Sequence, residues 1–382
     1  MSDEAQAKEA ERNRNRSRAS KDPAHIAYMG SNWATNPPVA GDLSEVAPFA
    51  AARREELAER FPGKTLVIYA GAHKQRSHDT DYRFRPHSAF THLTGWGRNT
   101  VAGSILVIEV AADGSIADEA LYLLPTAGHG TDEFFADNII GEFWVGPRPD
   151  LAEVSEALGI ETRNLRDFIE PADALRLGTV GLMDRSAPED DFELTEAAAE
   201  IRLIKDDWEI RELQQACDAS AVGFGNILRE LNRAKAHPRG ERVVETAFFS
   251  AARELGNDLG YDTIAAAGDH ANTLHWIAND GPVLDGDLLL VDAGVEVDSL
   301  YTADITRTIP VNGKFTPVQR KIYEAVREAA DAVFAIARPG VTYSEMHDEA
   351  MRVIARKAEE WGLLPEGVTA EESLASKEQW HR

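Results

Sequence analysis

Two aspartates twelve positions apart, Asp292 and Asp304, stand where charge is hard to accommodate. The apolar run Leu288-Leu289-Leu290-Val291 leads straight into Asp292 and reads as a buried strand. Tyr301 to Ile309 is β-prone as well, with Thr302, Ile305, Thr306, Thr308 and Ile309. A hairpin with its tip near Asp298 sets Asp292 opposite Asp304 on one face. Opposed Cβ atoms lie about 4.5–5.5 Å apart, and like charges there repel. One or two divalent cations turn that repulsion into coordination. Carboxylate oxygens suit Mg, Ca or Mn, and added histidine suits Mn, Fe, Co or Zn. The plain alternative is a pair of aspartates that merely flank turns, as Asp287 and Asp298 are read.

Other reactive side chains have equally plain readings. His275, between Leu274 and Trp276 in an expected strand, reads alone as a hydrogen-bonded core histidine, and an isolated Tyr261 reads as packing. His73, His78, His87 and His92 lack a regular ligand spacing and read as loop-surface residues. His270, His347 and His381 are weaker candidates, and His347 shares an acidic helix with Glu345, Asp348 and Glu349, a solvated face. The single cysteine, Cys217, excludes an intramolecular disulfide and reads as a buried, inert thiol on a helix. The chain has no G-x-S-x-G elbow, no H-E-x-x-H and no Walker loop, which disfavours serine hydrolases, zincins and P-loop enzymes.

The elements that must carry these residues follow from periodicity. Residues 1 to 40 are polar and end in Asn36-Pro37-Pro38, which predicts a mobile tail. Its alternating Arg12, Arg14, Arg16 and Arg18 sit beside Glu9 and Glu11, the pattern of a solvated segment. A helix is expected over Leu43 to Arg60, then strands at Thr65 to Ala70, Ser104 to Val110, Ala120 to Leu124 and Thr179 to Met183. Helices at Thr131 to Asn138 and Leu151 to Leu158 alternate with them, so residues 41–197 read as an α/β domain. A long helical region over Asp191 to Arg233 holds the boundary, and residues 198–382 form a second domain. There, a helix from Glu241 to Leu255 precedes a strand-rich stretch, Asp262 to Ile309. Helices at Pro317 to Ala337 and Tyr343 to Trp361 follow, broken by Arg338-Pro339-Gly340.

A net charge of −25 argues against a nucleic-acid backbone or an anionic membrane as a general partner. No apolar run approaches the ~18 residues of a membrane span. Met1-Ser2-Asp3-Glu4 does not open a signal peptide, so a cytoplasmic location is expected.

The order Asp292-Ala293-Gly294, Ala303-Asp304-Ile305-Thr306-Arg307-Thr308 and Pro310 to Thr316 resembles the metal-binding core of aminopeptidase P. That family of Xaa-Pro aminopeptidases belongs to the pita-bread metallopeptidases. The resemblance extends through Tyr261-Asp262-Thr263-Ile264, Asn272 to Trp276, Ile201 to Lys205, Phe84 to Phe90 and Leu93 to Trp96, and so covers roughly residue 40 to the end. It implies an α/β amino-terminal domain followed by an α+β pita-bread domain, incomplete at its C-terminus. By the same resemblance, Asp292 and Asp304 are metal ligands for two divalent ions, Mn2+ in the complete protein. His275 becomes a catalytic and substrate-binding residue, and Tyr261 a substrate-binding one. Arg85, His87 and Trp96 are placed at a subunit contact or the rim of a neighbouring site.

The implied activity is release of the N-terminal residue from peptides with proline second, by a homo-oligomer, dimer or tetramer, with a peptide as partner. Prolidase, which cleaves Xaa-Pro dipeptides, shares both aspartates. An inactive pita-bread module that binds peptide or protein is the alternative of another class. Two departures stand out. The two aspartates are one residue closer in many relatives, which places an extra residue at the hairpin tip or in a bulge. The family's later ligands, a histidine in an H-G-x-x-H segment and two glutamates, do not occur before Arg382, so the sequence reads as a fragment.

Overall fold

The computed structural model describes residues 22–34, 43–78, 80–179 and 189–376. The chain divides into two compact units, each assembled from three stretches: residues 1–223, 249–261 and 294–304 in the first, and residues 224–248, 262–293 and 305–382 in the second.

The first unit begins with helices α1 (Pro23–Met29) and α2 (Ala47–Ala58), each with a proline in its first turn, where a missing N–H costs nothing. Strand β1 (Thr65–Tyr69), the short pair β2 (Gln75–Ser77) and β3 (Thr80–Asp81), and helix α3 (Ser88–Thr94) come next. Strands β4 (Ile105–Val110) and β5 (Ile116–Leu123) are followed by two single turns, α4 (Glu133–Ala136) and α5 (Glu142–Val145). Helix α6 (Leu151–Leu158) opens on an Asp150–Glu153 capping box and leads to β6 (Glu161–Asn164) and β7 (Leu175–Leu177). The sheet runs β6-β5-β4-β1-β7, antiparallel through the middle three strands and parallel at both edges. Its β-branched and leucine-rich strands bury Leu66, Ile68, Leu106, Ile108, Leu121 and Leu123 against α2, α3 and α6. Arg54, 1% exposed, is tolerated in that core because Glu119 takes its guanidinium at 2.7 and 2.8 Å and the Leu93 carbonyl takes a third N–H.

Helix α7 (Phe192–Glu200) and helix α8 (Asp207–Ala236) replace the single helical region expected over Asp191 to Arg233. The break at 201–206 ends where Asp206 and Glu209 form a reciprocal cap at 2.9 Å each way. Cys217 is exposed on α8, not buried as expected, because its neighbour Ala216 occupies the inward position. Helix α9 (Gly240–Leu255) and the pair β8 (Asp258–Leu259) and β11 (Val295–Glu296) lie around the second unit's central sheet in sequence. That sheet, ordered β12-β10-β9, comprises β9 (Ile264–Ala267), β10 (Leu288–Ala293) and β12 (Ile305–Pro310), all antiparallel. Helices α10 (Pro317–Ile336), α11 (Tyr343–Glu360) and α12 (Ala370–Ala375) follow, each started by a threonine capping box.

Residues 22–34 carry structure that their polar composition did not suggest: α1, with Trp33 edge-on to Phe134 at 5.2 Å and His25 to Phe135 at 5.4 Å. The arginines at 12–18, the strand expected over 180–183 and His381 lie outside the described residues.

Candidate functional site

Asp292 is the penultimate residue of the central strand β10, flanked by Ile264 on one side and Thr306 on the other. The opposed pairing of Asp292 with Asp304 does not form. The register that pairs Asp292 with Thr306 continues inward through Ala303 N to the Val295 carbonyl and Val297 N to the Tyr301 carbonyl. The turn is therefore centred on Ser299 rather than Asp298, with Leu300 in the left-handed region at φ 69°. A three-residue loop closed by a left-handed residue is a standard hairpin solution, and it moves Asp304 to the level of Gly294. Gly294 is required there, since a Cβ would lie 1.5 Å from the Ala303 carbonyl oxygen.

Each acid has a hydroxyl to orient it. Thr306 Oγ1 donates to Asp292 Oδ2 at 2.9 Å. The Tyr261 hydroxyl donates to Asp304 Oδ1 at 3.0 Å, so those two predicted residues are brought together. Asp304 is exposed and Asp292 half-buried. Thr306, counted in the sequence only among the β-prone residues, thus has a partner of its own. Arg307 is exposed and donates to the Thr306 carbonyl at 2.8 Å.

Hard oxygen donors held by neutral hydroxyls are suitable ligands for divalent cations. Among the described residues, no group of three or more His, Cys, Asp or Glu side chains is placed to hold a metal ion.

His275 lies in an exposed turn after a short 3-10 segment, Gly268–Asn272, not in a strand. Its apolar neighbours misled the pattern, because Leu274 is 85% exposed and Trp276 turns inward to a carboxylate. That carboxylate is Glu241, fully buried at the start of α9, a residue that sequence reasoning passed over as an ordinary helix position. His270 is its other side-chain partner, with Nδ1 2.8 Å from Oε1, and stacks on Trp276 with ring centres 3.9 Å apart.

Two of the four clustered histidines are not loop-surface residues. His87 caps α3 through Nδ1, and burial, followed by nearby arginine charge, pushes its pKa down. His92 is 4% exposed. Its Nε2 stands 3.4 Å from Glu209 Oε1 without hydrogen-bond alignment. Burial outweighs the pull of Glu209 and holds His92 below its ordinary pKa. Glu209, also buried, has burial raising its pKa, but His92, the Tyr301 hydroxyl at 2.6 Å, the Asp206 amide and Arg53 overcome this and bring it down to about 2. Glu345, His347 and Asp348 are exposed, the solvated face expected, and Glu345 also closes the α11 capping box with Thr342.

A cavity of about 900 Å³ in the first unit is lined by Arg83, Arg85, Arg98, Arg148 and Arg253. Arg83 pairs with Asp258 and Arg85 with Glu296, both at 2.6 Å. Among the described residues Arg148 has no such partner for Nε or Nη2, and burial lowers its pKa.

Residues 50–174 match the family model described as the aminopeptidase P N-terminal domain, and residues 211–373 match metallopeptidase family M24. The chain is 43% identical over 371 residues to Xaa-Pro aminopeptidase 1 of Streptomyces coelicolor, covering 92% of this chain and 72% of that one. To Xaa-Pro aminopeptidase 2 of the same organism it is 42% identical over 348 residues, covering 88% and 73%. A solved variant of Escherichia coli aminopeptidase P matches with a TM-score of 0.68 at 25% identity, over 87% of this chain and 77% of that one. The expected architecture, an α/β amino-terminal domain and a pita-bread domain, is thereby established.

Proposed function

Since this chain belongs to the aminopeptidase P family of metallopeptidases, we propose that it acts in releasing the N-terminal residue from peptides whose second residue is proline. The observation that carries the reading is the likeness to Xaa-Pro aminopeptidases along 92% of the chain, through both matched segments. Family M24 implies divalent metal ions. Mn2+ is the ion proposed, with Asp292 and Asp304 as its ligands in this chain. Such ions, when bound, supply an activated water and stabilise the charge that develops as an amide is cleaved.

The chain's own residues have defined tasks in that reaction. Tyr261 and Thr306 fix the carboxylates of Asp304 and Asp292 through the two hydroxyl bonds. The exposed imidazole of His275 meets the peptide or its developing oxyanion. Tyr261 also borders the substrate through its ring. The 41–197 and 198–382 division remains the proposed domain boundary. A homo-oligomer, dimer or tetramer, in the cytoplasm completes the reading; among the described residues no helix is long and apolar enough to cross a membrane.

The test is amino-acid release from an Xaa-Pro tripeptide by the protein, with and without added Mn2+. Release only with metal, lost in Asp304→Ala, is expected. Full activity in Asp304→Ala sinks the assignment. A matched Xaa-Pro dipeptide separates this activity from prolidase.

A further inference from the structure

We propose that Glu241 is a positioning residue that clamps the loop carrying His275, a role that rests on His275 meeting the peptide. Its carboxylate is 0% exposed and accepts from four donors. Oε1 takes the Ala267 amide at 2.8 Å and lies 2.8 Å from His270 Nδ1. Oε2 takes the Gly281 amide at 2.7 Å and Trp276 Nε1 at 3.0 Å. One oxygen thus holds the entry of the 268–281 loop and the other holds its exit, with His275 between them.

The arrangement allows few substitutes. A buried carboxylate is costly unless its lone pairs are filled, and here two backbone and two side-chain donors fill them. The Glu241 amide also donates to the Gly281 carbonyl at 3.1 Å, so side chain and backbone of one residue grip the same strand of chain. Gly281 has to be glycine: a Cβ would meet His270 Cε1 at 2.5 Å and Glu241 Oε2 at 2.9 Å. Trp276, stacked on His270 and bonded to Glu241, fixes the backbone immediately after His275. His275 is therefore presented from an exposed turn whose two ends converge on one buried charge.

Glu241→Gln keeps the shape but offers one acceptor oxygen and one NH2 group, so one pair of donors faces another donor. Deuterium exchange on the 382-residue chain reads the result. Glu241→Gln is expected to speed exchange across 268–281 about tenfold or more while the β1, β4 and β5 amides keep their wild-type rates. The His275 ring signals in NMR spectra are expected to broaden together with this. Trp276→Phe, which leaves the carboxylate three partners, covers the case where Glu241→Gln does not fold, and is expected to speed the same segment by a smaller factor. Unchanged loop exchange, or equal acceleration of loop and five-stranded sheet, overturns the clamp. Adding a proline-second tripeptide distinguishes the two layers. If it fails to shift the His275 signals in the wild type, it is the peptide contact that is wrong, and the exchange rates still decide the clamp.

Discussion

Asp304 is exposed, and among the described residues the Tyr261 hydroxyl is the group shown to orient it. Groups that orient a metal ligand are typically worth about 10–100-fold in affinity or activity. Tyr261→Phe is expected to cost that much in the enzyme with Asp304 unaltered, read from Mn2+ titration and peptide turnover; an unchanged Mn2+ affinity and rate count against the role. Arg148 makes the opposite kind of case. Among the described residues nothing bonds its buried Nε and Nη2, and such unpaired charge is costly. Arg148→Met is expected to stabilise by about 1 kcal/mol and raise Tm by about 2–4 °C, and a lower Tm would show a partner for that charge. The two aspartates were legible because residue type and strand pattern pointed the same way. Their register was not, since it hangs on Leu300 taking a left-handed conformation unusual for a leucine. Glu241 was illegible for another reason: its four partners are up to 40 residues distant in sequence.

The helix starts at Leu151, Pro317 and Tyr343 were read from the sequence, whereas α12 after Thr369 was not. Asp150, Thr316, Thr342 and Thr369 each precede an acid or glutamine by three positions, and each forms a capping box. The Asp206–Glu209 cap was hidden because the helical pattern runs on both sides of it. That cap has a pH signature. Glu209 has a folded pKa of about 2 against an ordinary 4.5, so it stabilises above pH 4.5, and this is lost as pH falls toward 2. His92, held below 6.5 by burial, likewise favours the unfolded state progressively as pH falls below 6.5. Thermal melts from pH 7 to 3 are expected to show stability declining in both windows. Glu209→Gln is expected to flatten only the lower one. Parallel declines in variant and wild type below pH 4.5 would remove Glu209 from the account.

At the scale of the molecule, strand and helix alternation revealed the first α/β unit, but periodicity carries no information about which distant stretch completes it. Residues 294–304 return to that unit, where Tyr301 bonds Glu209, Ser299 bonds Glu212 and the Val295 amide bonds Ser220. A fragment ending at residue 223 keeps the five-stranded sheet yet loses all three bonds. It is expected to melt below the whole chain, and calorimetry showing equal midpoints would contradict this. Interleaving of this kind also bears on biosynthesis. A nascent chain cannot finish its leading half when that half's last leading residue leaves the ribosome, and must wait until residue 304 has emerged. Until then the polypeptide carries an unfinished surface, so a translational pause or premature stop in that interval is where chaperone capture would matter most.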